Sequence, residues 1–388
     1  MSTPVRKLSE IAELNPRTAE RPGPETPVSF VAMSDVDADA GTTTTGVERR
    51  YADTAKGYTQ FADRDLLVAK ITPCFENGKI AQAGLAHPHG AGSTEFHVVR
   101  PDRAHVHDRY LLAFLRRPAV RVKGERRMTG SGGQRRVPEA FLADLDVPLP
   151  SLAEQRRIAD ILDRADALRA KRRASLAPIG ELYRSIFLEM FGDPLAAPGR
   201  WPTAPLATLG TLDRGMSKHR PRNDPALLGG AYALVQTGDV ARSGGYIEEY
   251  SATYSELGLA QSRLWPAGTL CITIAANIAK AGILQFDACF PDSVVGFSSD
   301  PQTVEYVRAW LSFMQQHLER LAPESAQKNI NLAVLRSLEV PQPPRASICE
   351  FAGKVRQLRS MEQARRKHLA ALESLMSALR DRAFRGEL

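Results

Sequence analysis

Residues 134–150 read Gln134-Arg-Arg-Val-Pro-Glu-Ala-Phe-Leu-Ala-Asp-Leu-Asp-Val-Pro148-Leu-Pro150, and residues 327–343 read Gln327-Lys-Asn-Ile-Asn-Leu-Ala-Val-Leu-Arg-Ser-Leu-Glu-Val-Pro341-Gln-Pro343. Both stretches carry Gln, a basic residue, an apolar run, an acid followed by Val, and Pro-x-Pro. Each position of the second stretch lies 193 residues after its counterpart, without a gap. Two prolines two positions apart favour an extended end. The chain is therefore predicted to be built twice.

A long helical pattern follows each copy. Ser151-Leu-Ala-Glu154 and Ser347-Ile-Cys-Glu350 are predicted capping boxes, in which the Ser hydroxyl accepts a hydrogen bond from the third helical N–H. Apolar residues then recur at spacings of three and four, as on one face of a helix. Each helix would run ~37 residues, or ~55 Å. Pro178 and Gly180 predict a kink or a break in the first helix.

The apolar stripe of each helix lies between dense charges, a pattern that favours another helix as partner. The economical partner is the other copy, which would create a pseudo-two-fold axis. The alternative is that each stripe packs on the core of its own domain. The residues predicted to form the interface for helix pairing or for other subunits are Gln155, Ile158, Leu162, Leu168, Leu176, Ile179, Leu182 and Ile186 in the first helix, and Val355, Met361, Leu369, Leu372, Leu375 and Leu379 in the second.

The regions before the helices contain short apolar strands separated by Gly and Pro, as in mixed α+β domains. The segments 61–71 and 265–274 each show an aromatic residue, a short turn and a strand of the buried type. The sequence predicts an α+β protein with two tandem mixed α/β domains, each followed by a long helix. The predicted bounds are 1–150 for the first domain, 151–192 for its helix, 193–346 for the second domain and 347–388 for its helix.

Composition limits the class of protein. Hydrophobic residues make up 43% of the 388 positions and charged residues 24%, which is ordinary for a soluble globular chain. No apolar run approaches the ~18 residues that span a bilayer, and residues 1–17 lack the apolar core of a secretory signal. The four cysteines lie far apart without a C-x-x-C pattern. We therefore expect a reduced, cytoplasmic protein without membrane association.

The positive charge is concentrated in two places. The chain has 51 Lys and Arg against 44 Asp and Glu, a net charge of +7. The window from Arg116 to Arg136 holds eight basic residues and one acid, and the stretch from Arg214 to Arg222 is basic with no acid inside it. Such clustering favours an anionic partner.

Most motifs of catalysis are missing from the sequence. There is no Walker A pattern for a nucleoside triphosphatase and no Asn/Asp-Pro-Pro-aromatic motif of an amino-methyltransferase. Five of the eight histidines fall between His87 and His107. Two H-x-H pairs on strands would place both rings on one face, so a metal site is an alternative interpretation. Pro88 and Gly90 instead predict a loop with surface histidines, and we expect no metal there.

The run Val147-Pro-Leu-Pro-Ser-Leu-Ala-Glu-Gln155-Arg-Arg-Ile158-Ala-Asp-Ile-Leu162-Asp resembles the hallmark of type I restriction-modification specificity subunits. In that family a Pro-x-Pro ends the first target-recognition domain, and a Glu-Gln-x-x-Ile-x-x-x-Leu helix follows. The segments 65–79, 92–96, 187–193, 236–240, 326–331 and 383–388 are similar to segments common in the family. The second helix departs from the pattern, since Ser347-Ile348 stand where Glu154-Gln155 stand in the first.

The resemblance implies a non-catalytic subunit whose two target-recognition domains each read one half of a split sequence in double-stranded DNA. It implies that the long helices pair as an antiparallel coiled coil, set the spacing between the halves and dock two adenine-N6 methyltransferase subunits. Two translocase/endonuclease subunits would complete the restriction enzyme. No cofactor is expected on this chain, because S-adenosylmethionine, ATP and magnesium would be bound by the partner subunits.

The basic clusters agree with this interpretation, because Lys and Arg neutralise phosphates and glycines let backbone N–H groups approach them. The candidate DNA-binding residues are Lys70, Lys79, Arg126, Arg127, Gln134, Arg135, Arg136, Arg214, Lys218, Arg220, Arg222 and Lys328. Two alternatives remain. One is a duplicated protein-interaction scaffold whose basic charge is incidental, and the other is a metal-dependent enzyme that uses the His87–His107 cluster.

Overall fold

The computed structural model describes residues 3–17, 21–131, 133–176, 179–196, 199–219, 221, 223–275, 278–321 and 330–388. The chain forms two compact units, Met1–Leu176 together with Ala364–Leu388, and Ala177–Gln363. These bounds differ from the predicted division at two points. The last 25 residues belong to the first unit, and the segment that was predicted to end the first helix belongs to the second.

The first unit contains twelve described strands and six described helices, besides its share of the C-terminal helix. The strands are β1 (Val5–Lys7), β2 (Ala12–Leu14), β3 (Pro27–Val31), β4 (Val36–Asp37), β5 (Thr42–Thr43), β6 (Val47–Arg50), β7 (Thr59–Ala62), β8 (Leu66–Ala69), β9 (Ile80–Gln82), β10 (His89–Gly92), β11 (Phe96–Pro101) and β12 (Asp146–Pro148). The helices are α1 (Leu8–Ile11), α2 (Tyr51–Thr54), α3 (Asp108–Leu115), α4 (Pro118–Glu125), α5 (Glu139–Ala143) and α6 (Leu152–Ala174). A 3-10 turn spans Met33–Asp35.

The second unit has the following described elements. The strands are β13 (Thr203–Pro205), β14 (Thr211–Arg214), β15 (Leu228–Leu234), β16 (Tyr246–Ile247), β17 (Ala252–Tyr254), β18 (Leu270–Thr273), β19 (Ala281–Leu284), β20 (Val294–Ser298) and β21 (Glu339–Pro341). The helices are α7 (Ile179–Phe191), α8 (Thr237–Arg242), α9 (Glu256–Ala260), α10 (Pro301–Leu321), α11 (Leu332–Arg336) and α12 (Arg345–Ala383), of which the part from Ala364 onward belongs to the first unit. Two 3-10 turns span Leu206–Thr208 and Pro225–Leu227.

Each unit is built on a mixed sheet, so the predicted α+β class with two domains and long helices is confirmed. In the first unit the main sheet has six strands in the order β2-β11-β8-β9-β5-β4, and a second sheet has the order β6-β3-β10-β7. In the second unit the main sheet has the order β14-β20-β18-β19-β16. Strands β8 and β18 are buried along their whole length, which explains why segments 61–71 and 265–274 read as buried strands.

The duplication is visible in matching hydrogen bonds around the Pro-x-Pro segments. The Tyr110 hydroxyl donates to the Pro148 carbonyl at 2.8 Å, and the Tyr306 hydroxyl donates to the Pro341 carbonyl at 2.9 Å. A short antiparallel pair holds each segment, β1 with β12 in the first unit and β13 with β21 in the second. The two quoted stretches therefore close equivalent positions in the two units.

In the first unit, α6 and the end of α12 pack against the same core. Ile158 and Leu162 of α6 lie in one buried cluster with Met376 and Phe384. The Phe384 ring lies 5.1 Å from the ring of Tyr110. Burial of each aromatic or aliphatic side chain of this size stabilises the folded state by about 1.5–3 kcal/mol. The C-terminal residues are therefore an integral part of this unit.

The contacts between α6 and the end of α12 run in opposite chain directions. Arg157 donates to the backbone oxygen of Leu388, Asp166 accepts from Arg380, and Arg173 donates to Glu373. As the residue number on α6 rises, the number of its partner falls. The two segments are therefore antiparallel within the first unit.

In the second unit, α7 contacts the first part of α12 in the same antiparallel sense. Phe187 and Phe191 pack edge-on against Phe351, and the Tyr183 hydroxyl donates to Glu362 at 3.3 Å. These phenylalanines belong to the large core of the second unit. Since helix pairing and packing on a domain core occur together in each unit, the two interpretations of the stripe are compatible.

Of the two predicted helix starts only the first is confirmed, and the predicted break near Pro178 falls between two described helices. Ser151 accepts from the Glu154 N–H and caps α6, but Ser347 lies inside α12, which begins at Arg345 directly after Pro344. The predicted cap at Ser347 is therefore wrong. The described part of the first predicted helix consists of α6 and α7, and Pro178 lies between them, outside the described residues. Within the described ranges, no helix combines the length and apolarity needed to cross a membrane.

Candidate nucleic-acid interface

A basic hairpin in the first unit brings several candidate residues together. Thr129 and Arg136 exchange backbone hydrogen bonds of 3.0 and 2.8 Å, which closes a turn around residues 130–135. The second arm of this hairpin also pairs with the segment after β8. There the Thr72 N–H donates to Arg135, and the Val137 N–H donates to Lys70. Lys70, Gln134, Arg135 and Arg136, which the sequence predicts from separate motifs, therefore lie side by side.

Glycine is required at the start of this turn. Gly130 has a φ of 127°, a conformation that residues with a side chain rarely adopt. A Cβ atom at this position would also lie 2.6 Å from the Gln134 carbonyl oxygen. The two arms can therefore approach only because no side chain stands there, and the described residues between them, 130–131 and 133–135, are exposed.

Two of the four arginines near the hairpin are already paired with acids. Arg136 donates three hydrogen bonds of 2.8 to 3.2 Å to the Glu95 carboxylate, and this guanidinium lowers the pKa of Glu95 below its ordinary value. Arg135 faces Glu76 at 3.8 Å. Arg126 and Arg127 are exposed and have no hydrogen-bonding or ion-pair partner among the side chains that the structure describes. The free charge for a phosphate contact therefore lies mainly on this second pair.

A cleft of about 820 Å³ beside Thr129 adjoins this free charge. Met128 and Phe141 form part of its apolar wall. On one side it is lined by Asp146, whose carboxylate pairs with Lys7 at 2.9 Å. Its cationic side chains are Arg117, Lys123, Arg126 and Arg127. A concave surface rich in one sign of charge concentrates counter-ions, so this cleft suits an anionic polymer.

The ammonium group of Lys79 is not free, because it is hydrogen-bonded within the first unit. Its ammonium group donates to the Met33 carbonyl at 2.6 Å, and the side chain is half-buried. The contact holds the turn before β9 against the 3-10 turn Met33–Asp35. Lys79 could contact DNA only through the ammonium N–H groups that the Met33 carbonyl does not engage.

In the second unit the structure describes only part of the predicted basic stretch. The Arg214 guanidinium donates to the Asp292 carbonyl at 3.0 Å, and Lys218 is exposed without a described partner. The remaining candidates, Arg220, Arg222 and Lys328, lie outside the described residues. The candidate surface of this unit is therefore defined by Lys218 and the exposed side of Arg214.

One basic pair was missed by the sequence analysis. Arg49 and Arg50 lie on β6, all of whose residues are exposed. The Arg49 guanidinium lies 3.7 Å from the centroid of the Phe30 ring, and Arg50 donates to Asp53. The available signal was a pair of adjacent arginines in a short strand, but these arginines are only two charges against the eight of the 116–136 window.

Gln155 has a different position from the one predicted. Its side chain is 1% exposed, and the sequence predicted a contact in the helix interface. Its carbonyl oxygen accepts from the His107 N–H at 2.8 Å, and its amide donates to the carbonyls of His105 and Pro150 at 3.1 and 2.9 Å. All three partners are backbone groups of the first unit. Gln155 therefore anchors the start of α6 to its own domain.

The other residues predicted to pair divide by burial. Ile158 and Leu162 lie in the core cluster of the first unit, with Leu379 packed against it, and Val355 lies in that of the second unit, with Ile186 packed against it. Buried positions are Ile158, Leu162, Ile179 and Val355, and partly buried positions are Leu176, Ile186, Leu369, Leu372 and Leu379. Four predicted positions are instead exposed, namely Leu168, Leu182, Met361 and Leu375. On the last turns of α12 the inward position belongs to Met376, one residue after the predicted Leu375.

Three of the five histidines between positions 87 and 107 have separate partners. His87 faces Glu48 at 3.0 Å, His105 faces Asp102 at 2.8 Å, and buried His97 bonds a backbone carbonyl at 2.8 Å. In the described part of the chain, no group of three or more His, Cys, Asp or Glu residues is arranged to hold a metal ion. The geometry gives no support to the metal-dependent alternative.

Comparison with known families and proteins places this geometry in context. The family model described as the type I restriction modification DNA specificity domain matches residues 5–177 and again residues 216–350. The specificity subunits of the type I restriction enzymes EcoAI and EcoEI of Escherichia coli are each 41% identical over 152 residues. That alignment covers 39% of this chain but only 26% and 25% of those relatives. The chain therefore matches about a quarter of their length.

Two solved structures resemble the whole chain. One comes from a study of complex assembly and conformational transition in a type I R-M system, with a TM-score of 0.64 at 17% identity, covering 99% of this chain and 98% of that one. The other is the type I restriction-modification system S subunit from M. genitalium, with a TM-score of 0.56 at 15% identity, covering 98% and 96%. At these identities the likeness shows a shared fold.

Proposed function

This chain belongs to the family of type I restriction modification DNA specificity domains, and from that premise we propose that it selects the DNA sequence on which a restriction-modification complex acts. Each unit would read one half of a split target in double-stranded DNA. The chain would contribute recognition and no chemistry of its own. S-adenosylmethionine, ATP and magnesium would be bound by the adenine methyltransferase and translocase/endonuclease partners.

The single observation that carries the proposal is the hairpin between Thr129 and Arg136. It places Lys70, Gln134 and two arginines around one exposed, glycine-containing turn beside a cationic cleft. Lys and Arg side chains supply phosphate contacts, while Gln can form paired hydrogen bonds with adenine in the major groove. One surface thus carries both kinds of group that sequence-selective binding needs.

The long helices would supply the second half of the function, partner docking. Leu168 and Leu375 are exposed apolar residues of the first unit, and Leu182 and Met361 are their counterparts in the second. Met361 follows Leu168 by 193 positions, and Leu375 follows Leu182 by the same interval. Exposed apolar positions that recur with the internal repeat favour the docking of two copies of one partner.

The test is selection of bound duplexes from a random DNA pool by the full chain co-expressed with its methyltransferase subunit. We expect two blocks of fixed bases separated by unselected positions of constant number. A single block, or adenine methylation without sequence preference, would contradict the proposal. Binding that shows no dependence on salt would favour the scaffold alternative, because phosphate contacts make affinity fall with salt concentration.

A pair of matched variants tests the residues. Replacing Arg126 and Arg127 together with Gln should weaken binding to all duplexes and reduce the salt slope by about 0.9 for each lost phosphate contact. Lys171 and Arg172 on α6 are exposed cations without a described partner. Their replacement with Gln removes the same charge and should leave the slope unchanged.

A further inference from the structure

The second unit contains a pocket of about 520 Å³ that the DNA-binding proposal does not use. It lies between the first turn of α10, the first half of α12, and the adjoining ends of β18, β19 and β20. Its apolar wall consists of aliphatic side chains, among them Ile283, Leu284, Val304 and Ala352. Pockets of this volume with an apolar wall and a few polar groups are typical of small-ligand sites.

Two arginines of α12 line this pocket. The guanidinium group of Arg359 already has partners. It donates to Glu248 at 3.1 Å and to Gln285 at 2.7 Å, and it lies 3.8 Å from the centroid of the Tyr246 ring. Arg356 is exposed and makes no hydrogen bond or ion pair with a described residue. The pocket therefore has one guanidinium group that no carboxylate of the described chain neutralises.

The equivalent place in the first unit carries the opposite arrangement of charge. Arg356 follows Asp163 by 193 positions, the offset of the repeat. Tyr110 of α3 and Tyr306 of α10 make matching hydrogen bonds, so the two helices are equivalent. In this alignment Glu305 occupies the position that Arg109 occupies in the first unit. In the first unit Arg109 and Asp163 form two hydrogen bonds of 2.9 and 2.6 Å. There the acid and the base satisfy each other.

In the second unit the reversed pair does not form. Glu305 accepts instead from the Tyr246 hydroxyl at 2.8 Å and from Arg308 at 2.7 Å. Arg356 is consequently left without the carboxylate that its counterpart position has in the first unit. Ser298, which also lines the pocket, has no described side-chain partner either.

We propose that this pocket binds a carboxylate carried on an aliphatic chain, with Arg356 pairing the carboxylate and the wall of Ile283, Leu284 and Val304 covering the chain. A guanidinium group matches the two oxygens of a carboxylate with parallel hydrogen bonds. The Glu305 carboxylate lines the same pocket, and its negative charge disfavours a doubly charged phosphate more than a singly charged carboxylate. The inference is independent of the proposed function.

The experiment is calorimetric titration of the full chain with sodium hexanoate. Acetate supplies the charge without the chain, and hexanol supplies the chain without the charge. We expect saturable binding of hexanoate and at least about tenfold weaker binding of both controls, because hexanol lacks the charge that Arg356 would pair and acetate lacks most of the aliphatic chain that the apolar wall would cover. Absence of saturable hexanoate binding, or equal binding of hexanol, would overturn the proposal.

Variants assign the site. Arg356→Gln should weaken hexanoate binding about tenfold, and since Arg356 is exposed, thermal unfolding should remain unchanged. Lys354→Gln is the matched control, because Lys354 lies on the same helix outside the pocket and pairs with Glu350 on the surface. Equal loss in both variants, or no loss in Arg356→Gln, would place the binding elsewhere and refute the assignment.

A third arm distinguishes the two sources of such a carboxylate. A peptide ending in a free leucine carboxylate is compared with the same peptide amidated at its end. Tighter binding of the free peptide than of hexanoate would identify a protein terminus as the ligand, and weaker binding would identify a small acid. In both cases Arg356→Gln should retain DNA binding, which separates this site from the proposed function.

Discussion

Asp166 on α6 accepts two hydrogen bonds from Arg380 on α12, at 3.2 and 2.9 Å, and the side chains of both residues are only 13% exposed. Arg169 and Arg116 approach the same carboxylate at 3.2 and 3.5 Å. Three guanidinium groups therefore surround one largely buried acid, and burial lowers the pKa of Arg116 to about 10. This cluster joins α3, α6 and the C-terminal part of α12 in the first unit.

Removal of the acid should destabilise the first unit strongly. Asp166→Asn leaves three neighbouring cations without a counter-charge, and loss of one partner of a buried ion pair costs about 3–5 kcal/mol. Urea unfolding measures the effect. Asp160→Asn is the control, because Asp160 is exposed on the same helix without a described partner, and an equal loss in both variants would show that the cluster contributes nothing specific.

A second prediction tests whether Gln155 anchors the start of α6 to the first unit, as opposed to contacting another long helix. Gln155→Leu would leave the His107 N–H and two carbonyls without their present partner. We expect a loss of about 3 kcal/mol, since each buried polar group that is left unsatisfied costs about 1–3 kcal/mol. Gln357→Leu changes an exposed glutamine of α12 and should be nearly neutral. Unchanged unfolding of the Gln155 variant would contradict the anchoring role.

The case of Gln155 shows what the sequence could and could not predict. The motif around it identified the family and the start of α6, because apolar spacing and the Ser151 cap are local signals. Its role depends on the backbone of residues 105–107, which only the tertiary fold brings near. A polar residue in an apolar stripe gives no sign of such partners.

The sequence predicts the helical spacing of the apolar stripe correctly, but it predicts only some of the residues that are buried. Leu162 is buried as expected, whereas Leu375 is exposed and its neighbour Met376 is buried. A straight helix with 3.6 residues per turn drifts by about 20° every seven residues relative to a strict 3.5 repeat. Over the 39 residues of α12 this drift moves the buried face, so a fixed register fails towards the end.

The basic hairpin was also predicted only in part. Lys70 and Arg136 were both candidates. They lie close together because the segment after β8 pairs with the hairpin, and the sequence gives no sign of this long-range contact. The acid that pairs Arg136, Glu95, lies 41 positions away and has no mark in the sequence. Charge counting therefore identified a cluster of basic residues but overestimated its free charge.

A third prediction separates buried from exposed members of the stripe. Leu162 is 1% exposed and Leu168 is 56% exposed on the same helix. Leu162→Ala should cost about 2–5 kcal/mol in the free energy of unfolding, and Leu168→Ala less than about 0.5 kcal/mol. If Leu168 docks a partner subunit, its substitution should instead weaken co-purification of the methyltransferase. Similar unfolding of both variants would contradict the assigned burial.

A fourth prediction concerns the charge available to DNA. Glu95→Gln removes the carboxylate that holds Arg136, and the released guanidinium becomes free for a phosphate. We expect tighter binding to duplexes of every sequence and a salt slope steeper by about 0.9. Glu76→Gln is a weaker counterpart, because Glu76 lies 3.8 Å from Arg135. If neither slope changes, the hairpin does not contact the backbone of DNA.

The same pair predicts how stability depends on pH. The hydrogen bonds from Arg136 lower the pKa of Glu95 in the folded chain below its ordinary value of 4.5. A carboxyl group whose pKa is lower in the folded state stabilises that state above the unfolded pKa, and this contribution is lost as the pH falls through the folded pKa. Wild-type protein should therefore lose more stability than Glu95→Gln between pH 6 and about pH 3. Urea unfolding at several pH values measures this difference, and parallel curves for the two proteins would show that the pair is not formed in solution.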